Sequence, residues 1–186
     1  AGTGGGRRRR VRRGVPADRS ARMQNGANVA QARPEAEAAA VLRHERGLDG
    51  KFVLIYAGVH GLAQGMETLV QAAYLLRDDD DVRLLFVGEG PKKEETAALV
   101  KQHGLANVMM LGERPREQMP AYLSMADAAL VPLKRAALFE GALPSKMFEA
   151  LACATPVILS VGGEAAAVLG RIGAGLSVTP EDAHAI

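Results

Sequence analysis

From Pro34 onward the chain alternates helix-period segments with short unbroken apolar runs, and this alternation limits its folds more than any other feature. The runs are Phe52–Ala57, Val82–Val87, Val108–Leu111, Ala128–Val131, Pro156–Leu159 and Gly175–Val178. A run that is apolar at nearly every position suits a strand covered on both faces, the situation of a parallel sheet. Between the runs, helices are expected over Pro34–Arg46, Met66–Arg77, about Lys92–His103, Arg116–Ser124 and Pro144–Ala152. Pro34 at the start and Gly47 just past the end frame the first of these. In the second, Met66, Leu69, Val70 and Ala73 share one helical face. Ser20–Met23 reads as a short edge strand, and the chain's last residues as an unfinished helix. The expected fold is α/β: a Rossmann-like, doubly wound parallel sheet of about six strands with helices on both faces.

The 186 residues, 48% of them apolar, suffice for one compact domain with a core, plus at most a short arm. Aromatic residues make up 4% and Trp is absent, which argues against a base-stacking surface for single-stranded nucleic acid. The formal net charge is +2, yet six arginines lie within Arg7–Arg13, and without them the remainder stands at −4. Residues 1–14, glycine-rich and then arginine-rich, read as a linker or disordered basic arm, and 15–186 as the domain. The other reading of the arm is a contact with nucleic acid or an anionic membrane. A single cysteine, Cys153, rules out an internal disulfide, fits a reducing compartment, and lies in an apolar stretch as a buried structural thiol would. No apolar run approaches the roughly 20 residues that span a bilayer, and no signal peptide opens the chain. A soluble, cytoplasmic domain is expected.

Ligands of open parallel sheets bind beyond the carboxyl ends of the strands, so the loops following the apolar runs are the candidate sites. Gly58-Val-His60-Gly61-Leu-Ala-Gln64-Gly65 brings glycines to the start of a helix, where backbone N–H groups could approach an oxyanion. Steric need at a strand-to-helix turn explains the same glycines equally well. The loop lacks the Gly-Lys-Ser/Thr of a P-loop and the spacing of a dinucleotide fingerprint. Gly88-Glu-Gly-Pro91 is a second such turn. The third, Leu143-Pro144-Ser145-Lys146-Met-Phe-Glu149, places a cation and a carboxylate three residues apart on the first turns of a helix. That pair suits a ligand with a diphosphate at one end and hydroxyls at the other, or else is a surface ion pair. Four consecutive aspartates, Asp78–Asp81, precede a strand, and adjacent loop residues point apart, which does not suit a metal site.

In this order and spacing the loops resemble glycosyltransferase family 4, in particular bacterial members of surface-polysaccharide pathways that transfer aminosugars. The resemblance rests on Gln24–Asn28, Tyr56–Gly58 with Gly61 and Gln64–Gly65, Phe86–Pro91, Val108–Gly112, Ala126–Asp127, Leu143–Glu149 and Thr155–Ile158, and runs from about Val11 to the end. It implies the C-terminal lobe of a GT-B enzyme, in which two Rossmann-like lobes enclose a cleft and this one holds the nucleotide sugar; the N-terminal acceptor lobe is expected to be absent from this chain. Carried over by position, the catalytic pair is Lys146, facing the diphosphate with the amides near Ser145, and Glu149, holding the ribose hydroxyls. Gly58, His60, Gly61, Gln64 and Gly88 would line the phosphate and sugar end, Glu113 and Arg114 would lie near the base, and Leu143, Pro144 and Ser145 would border the donor. The implied donor is a UDP-sugar with an N-acetylated hexosamine or deoxyhexosamine, transferred with retention to a polysaccharide or lipid-linked acceptor. No metal or other cofactor is implied, nor a nucleic-acid partner. A peripheral contact with the inner face of the cell membrane is implied as a further partner.

The chain departs from the family at two positions. The glutamate expected eight residues before Glu149 is Gly141, with Glu140 displaced by one, and the lysine expected before the last glycine of the first loop is Gln64. A nucleotide-sugar 2-epimerase shares the two-lobed architecture but would need acid and base groups that the sequence does not offer. A receiver-like signalling domain fails because its acidic cluster would have to follow a strand, not precede one.

Overall fold

The computed structural model describes residues 32–186. The strand expected at Ser20–Met23, the segment Gln24–Asn28 and the basic arm of residues 1–14 lie outside the described residues. Six strands form one sheet: β1 (Phe52–Ala57), β2 (Val82–Val87), β3 (Val108–Leu111), β4 (Ala128–Pro132), β5 (Val157–Ser160) and β6 (Gly175–Ser177). Every pairing is parallel, and the order across the sheet is β3-β2-β1-β4-β5-β6. This is a doubly wound order whose direction reverses between β1 and β4.

Helix α1 (Ala36–Glu45) precedes β1, and five helices connect the strands: α2 (Met66–Leu75), α3 (Lys93–Gln102), α4 (Met119–Ser124), α5 (Ser145–Ala152) and α6 (Gly163–Ile172). The strands' side chains alternate between two cores, as the period of two requires. Val53, Ile55, Leu85, Val87, Ala129, Val131, Val157 and Leu159 face α1, α4, α5 and α6. Leu54, Tyr56, Leu84, Phe86, Ala128 and Leu130 face the other way, onto the predicted α2 stripe of Met66, Leu69, Val70 and Ala73 and onto Leu99 and Val100 of α3. Each fully buried Leu, Val or Ile contributes about 1.5–3 kcal/mol relative to exposure, so these two layers are the main stabilising term. Cys153 lies in the first core, and burial pushes its thiol up to about 11.

Local sequence explains where the structure departs from the expected elements. The single helix expected over Arg116–Ser124 divides into a 3-10 turn at Arg116–Gln118 and α4, because Pro120 has no N–H and fits only a first helical turn. Helix α6 was not anticipated; Gly162 at its N-cap and Gly163 and Gly170 within it mask the stripe formed by Ala165 and Leu169. No helix closes the chain: after β6 the backbone turns through Pro180 and Glu181, whose φ of +61 is left-handed and incompatible with a continuing helix. Among the described residues no helix is long and apolar enough to cross a membrane.

The amino edge of the sheet is held by Arg43 of α1. Its guanidinium donates to the carbonyls of Met125 (2.7 Å), Leu48 (3.4 Å) and Lys51 and to the Asp127 carboxylate (3.2 Å). Asp127 also accepts the Val53 N–H at 2.9 Å, so one ion pair joins α1 to the starts of β1 and β4. Asp78–Asp81 lie at this same edge, where the Asp81 carbonyl accepts the Phe52 N–H at 2.6 Å and the Asp80 carbonyl accepts from Lys51 at 2.8 Å. Arg43→Met would keep the stem but strand these acceptors, so unfolding stability should fall by about 1–3 kcal/mol. In urea titrations this is a lower midpoint at unchanged slope.

Candidate functional site

Two glycine-bearing loops interlock at the carboxyl edge. The Gly58 N–H donates to Val87 O (2.8 Å), the His60 N–H to Glu89 O (2.8 Å), and the Lys92 N–H to His60 O (2.9 Å). Gly58, Gly88 and Gly90 have φ of +138, +139 and +147, a region that L side chains rarely adopt. A Cβ on Gly88 would come 2.1 Å from the Gly58 carbonyl oxygen, and one on Gly58 would come 2.1 Å from Lys146 Cε. Close packing of backbone on backbone, and of the Lys146 stem on Gly58, is what these glycines permit.

Where β1 and β4 part, these loops border a cavity of about 360 Å³. Ile55, Ala57 and Val87 and the segment Ala129–Val131 line its inner part. Gly58, Gly88, Glu113, Arg114, Lys146 and Glu149, all singled out in the sequence, line the same space. The cavity has the size and the switch-point position of a small-molecule site. Helix α5 delivers Lys146 and Glu149 from its first turns, with Pro144 held extended at its N-cap. Burial holds the Lys146 ammonium below its usual range, Glu149 partly opposing this, and its Nζ lies 5.5 Å from the Tyr56 ring centroid. A desolvated cation beside an accessible cavity is electrostatically poised for an anion, because little water competes for it.

The remaining predicted residues fall outside the lining. His60 is fully buried beneath the interlocked loops. Gly61 lies under the folded-back amide of Gln64, and the Ala63 carbonyl accepts the Lys134 N–H at 2.8 Å. Leu143 packs on the core, Pro144 is half-buried, and Ser145 is exposed. Glu140 is exposed, and its carbonyl accepts the Glu164 N–H at 2.9 Å, anchoring the start of α6.

Glu89, Arg116 and Met119 also line the cavity and were not named as site residues from the sequence. The Lys93 ammonium beside Glu89 holds its carboxyl below the usual range, with the Glu113 N–H as a further donor. The four-residue spacing of Glu89 and Lys93 was a legible signal for that pair. Among the described residues no group of three or more His, Cys, Asp and Glu is arranged to hold a metal ion.

The family model of the glycosyl transferases group 1 matches residues 40–186. A protein of Escherichia coli (strain K12) named as a colanic acid biosynthesis glycosyl transferase, WcaI, is 31% identical over 183 residues, covering 95% of this chain and 44% of its own. This chain therefore spans less than half the length of that relative. Among solved structures, Anabaena Alr3699/HepE in complex with UDP superposes with a TM-score of 0.67 at 20% identity, over 87% of this chain and 44% of that one. The C-terminal domain of the group 1 family protein LpcC from Francisella tularensis superposes at 0.60 and 19% identity, over 86% and 83%. These likenesses establish the shared fold.

The interlock of the loops is testable by a single methyl group. Gly88→Ala should cost about 1–3 kcal/mol in backbone strain alone, with the overlap on Gly58 O adding to it. Gly141→Ala is the control, since nothing lies within 4 Å of a Cβ there; its stability should stay within about 0.5 kcal/mol of wild type in the same thermal or urea assay.

Proposed function

This chain belongs to the glycosyl transferases of group 1, and from that premise we propose that it is the donor-binding lobe of a retaining, two-lobed glycosyltransferase. Its donor is a UDP-sugar, with an N-acetylated hexosamine or deoxyhexosamine as the sugar and a surface-polysaccharide or lipid-linked molecule as the acceptor. The observation that carries the reading is the convergence of Lys146 and Glu149 with the Gly58 and Gly88 loops on one cavity at the β1–β4 reversal. The solved HepE complex with UDP, on a shared fold, and the colanic acid biosynthesis in the WcaI name support it.

In this reading Glu149 accepts hydrogen bonds from both ribose hydroxyls, and a carboxylate is the acceptor best suited to two adjacent donors. Lys146, already desolvated, offsets part of the diphosphate charge and stabilises it as the sugar departs. Glu113 and Arg114 border the base. Neutralisation by protein groups makes a divalent metal unnecessary, and the acceptor is held by a lobe outside this chain.

Charge-assisted hydrogen bonds of this kind contribute about 1.5–3 kcal/mol. Glu149→Gln should therefore weaken UDP binding by on the order of tenfold or more in calorimetric titration. The 2′,3′-dideoxy analogue, which lacks both hydroxyls, should bind wild type and variant nearly alike, which separates a lost contact from a folding defect. Equal UDP affinity in wild type and variant would remove Glu149 from the site. Chelation of divalent metals should leave wild-type affinity unchanged; loss with chelator and return with magnesium or manganese would contradict the metal-free reading.

A further inference from the structure

His60 occupies the crossing of the two glycine loops. Its backbone is fully committed: the N–H to Glu89 O and the carbonyl to the Lys92 N–H. Its imidazole is not. The ring is 0% exposed, and neither Nδ1 nor Nε2 has a hydrogen-bond partner. Folded proteins seldom leave a buried polar ring in that state without a reason. An apolar side chain would fill the same space without leaving two ring nitrogens unsatisfied.

The charged and titratable groups around it come from four elements. From β1 the Tyr56 ring lies 5.5 Å from the imidazole, centroid to centroid, with the Tyr56 hydroxyl committed to Val59 O. From α5 comes Lys146, 5.5 Å from that same tyrosine ring; from the loop after β2 comes Glu89, and from α3 Lys93. Burial, Lys93 and Lys146 lower the affinity of His60 for a proton, and Glu89 raises it. At the Gly58 end of the cavity Lys93 is already held by Glu89, and the loop position before Gly65 carries the neutral Gln64. Lys146 is the cation packed on Gly58, where a diphosphate diester brings two negative charges; Arg114 and Arg116 line the cavity farther along, on the segment after β3.

We propose that His60 is the proton-accepting residue of the donor site: a diphosphate bound at the Gly58 loop and the Lys146 ammonium draws one proton from solvent onto the His60 ring, and the imidazolium supplies a further positive charge. The inference rests on the UDP-sugar reading of the cavity. Without ligand, burial first, and then the fields of Lys93 and Lys146 against that of Glu89, lower the ring's affinity for a proton. The bound dianion offsets the field of the two lysines, the ring gains a proton, and dissociation returns it to solvent. The sign follows from linkage: the ring's pKa is higher in the complex than in the free protein, so affinity rises as pH falls. Between those two values the slope reaches on the order of tenfold per pH unit at most, and above both it is flat.

The test is calorimetric titration of the chain with UDP-glucose, whose diphosphate diester keeps its charge over about pH 5–8, where histidines titrate. Buffers of differing ionisation enthalpy report the protons taken up on binding. Wild type should take up a fraction of a proton that grows as pH falls toward the His60 range and tighten in step, whereas His60→Gln and His60→Leu should take up none and show a flat pH profile. If neither variant folds, NMR of the His60 ring across the same pH range with and without UDP-glucose assigns the proton, and a ring whose titration does not move on binding overturns the proposal. Binding of UDP-glucose by wild type with no buffer dependence overturns the proton linkage and leaves the donor site standing, as does equal uptake by wild type and His60→Gln. No binding of UDP-glucose at any pH overturns the donor-site reading and this inference with it.

Discussion

Strands β1 and β4 pair only through Leu54 and Ile55 against Ala128 and Ala129, whereas β1 pairs with β2 along its whole length. The rest of the site depends on that short seam. Helices α2 and α3, which follow β1 and β2, cover one face of the sheet, and α5, which follows β4, covers the other. The connections therefore leave the seam in opposite directions, and among the described residues the crevice above it stays open, as expected at a reversal of strand order. Arg43 and Asp127 tie the two strands at the opposite, amino edge, so the sheet can stay open at one end while fixed at the other.

Charge at the site follows from packing. Lys146 reaches the crevice because Gly58 has no side chain to obstruct its stem, and the same contact removes its ammonium from water. Gly88 in turn fits against the carbonyl of Gly58, and Gly90 against the backbone of His60. One set of close backbone contacts thus positions the lysine, buries the histidine and shapes the cavity rim. Glu89 closes the arrangement by holding Lys93 near the cavity while accepting from the segment that carries Glu113.

Most of the sheet was legible along the chain, because a strand covered on both faces must be apolar at nearly every position. Phe52–Ala57, Val82–Val87 and Val108–Leu111 have the expected limits for that reason. Helix α6 was less legible because its apolar stripe is short and interrupted by glycine, and Arg116–Ser124 divided because a proline acts on the backbone more strongly than helical period does. At the site, the Lys146–Glu149 spacing and the glycine loops were evident, since both are local patterns. Glu89, Arg116 and Met119 were not assigned, because which side chains of the segments after β2 and β3 turn into the space beside α5 is set only by the folded backbone.

The sequence by itself determined the class of fold, its parallel strands and the loops that face a ligand, because burial and backbone conformation act on short segments whose residues can be read in order. Only the tertiary structure decided which loop residues line the cavity and which support it. His60, Gly61 and Gln64 share a loop with Gly58, yet the crossing of that loop over Gly88 and Gly90 turns the His60 ring inward and leaves Gly58 at the cavity wall. Exposure, desolvation and the field at a side chain are sums over neighbours distant in sequence, and those neighbours are set only when the sheet has formed.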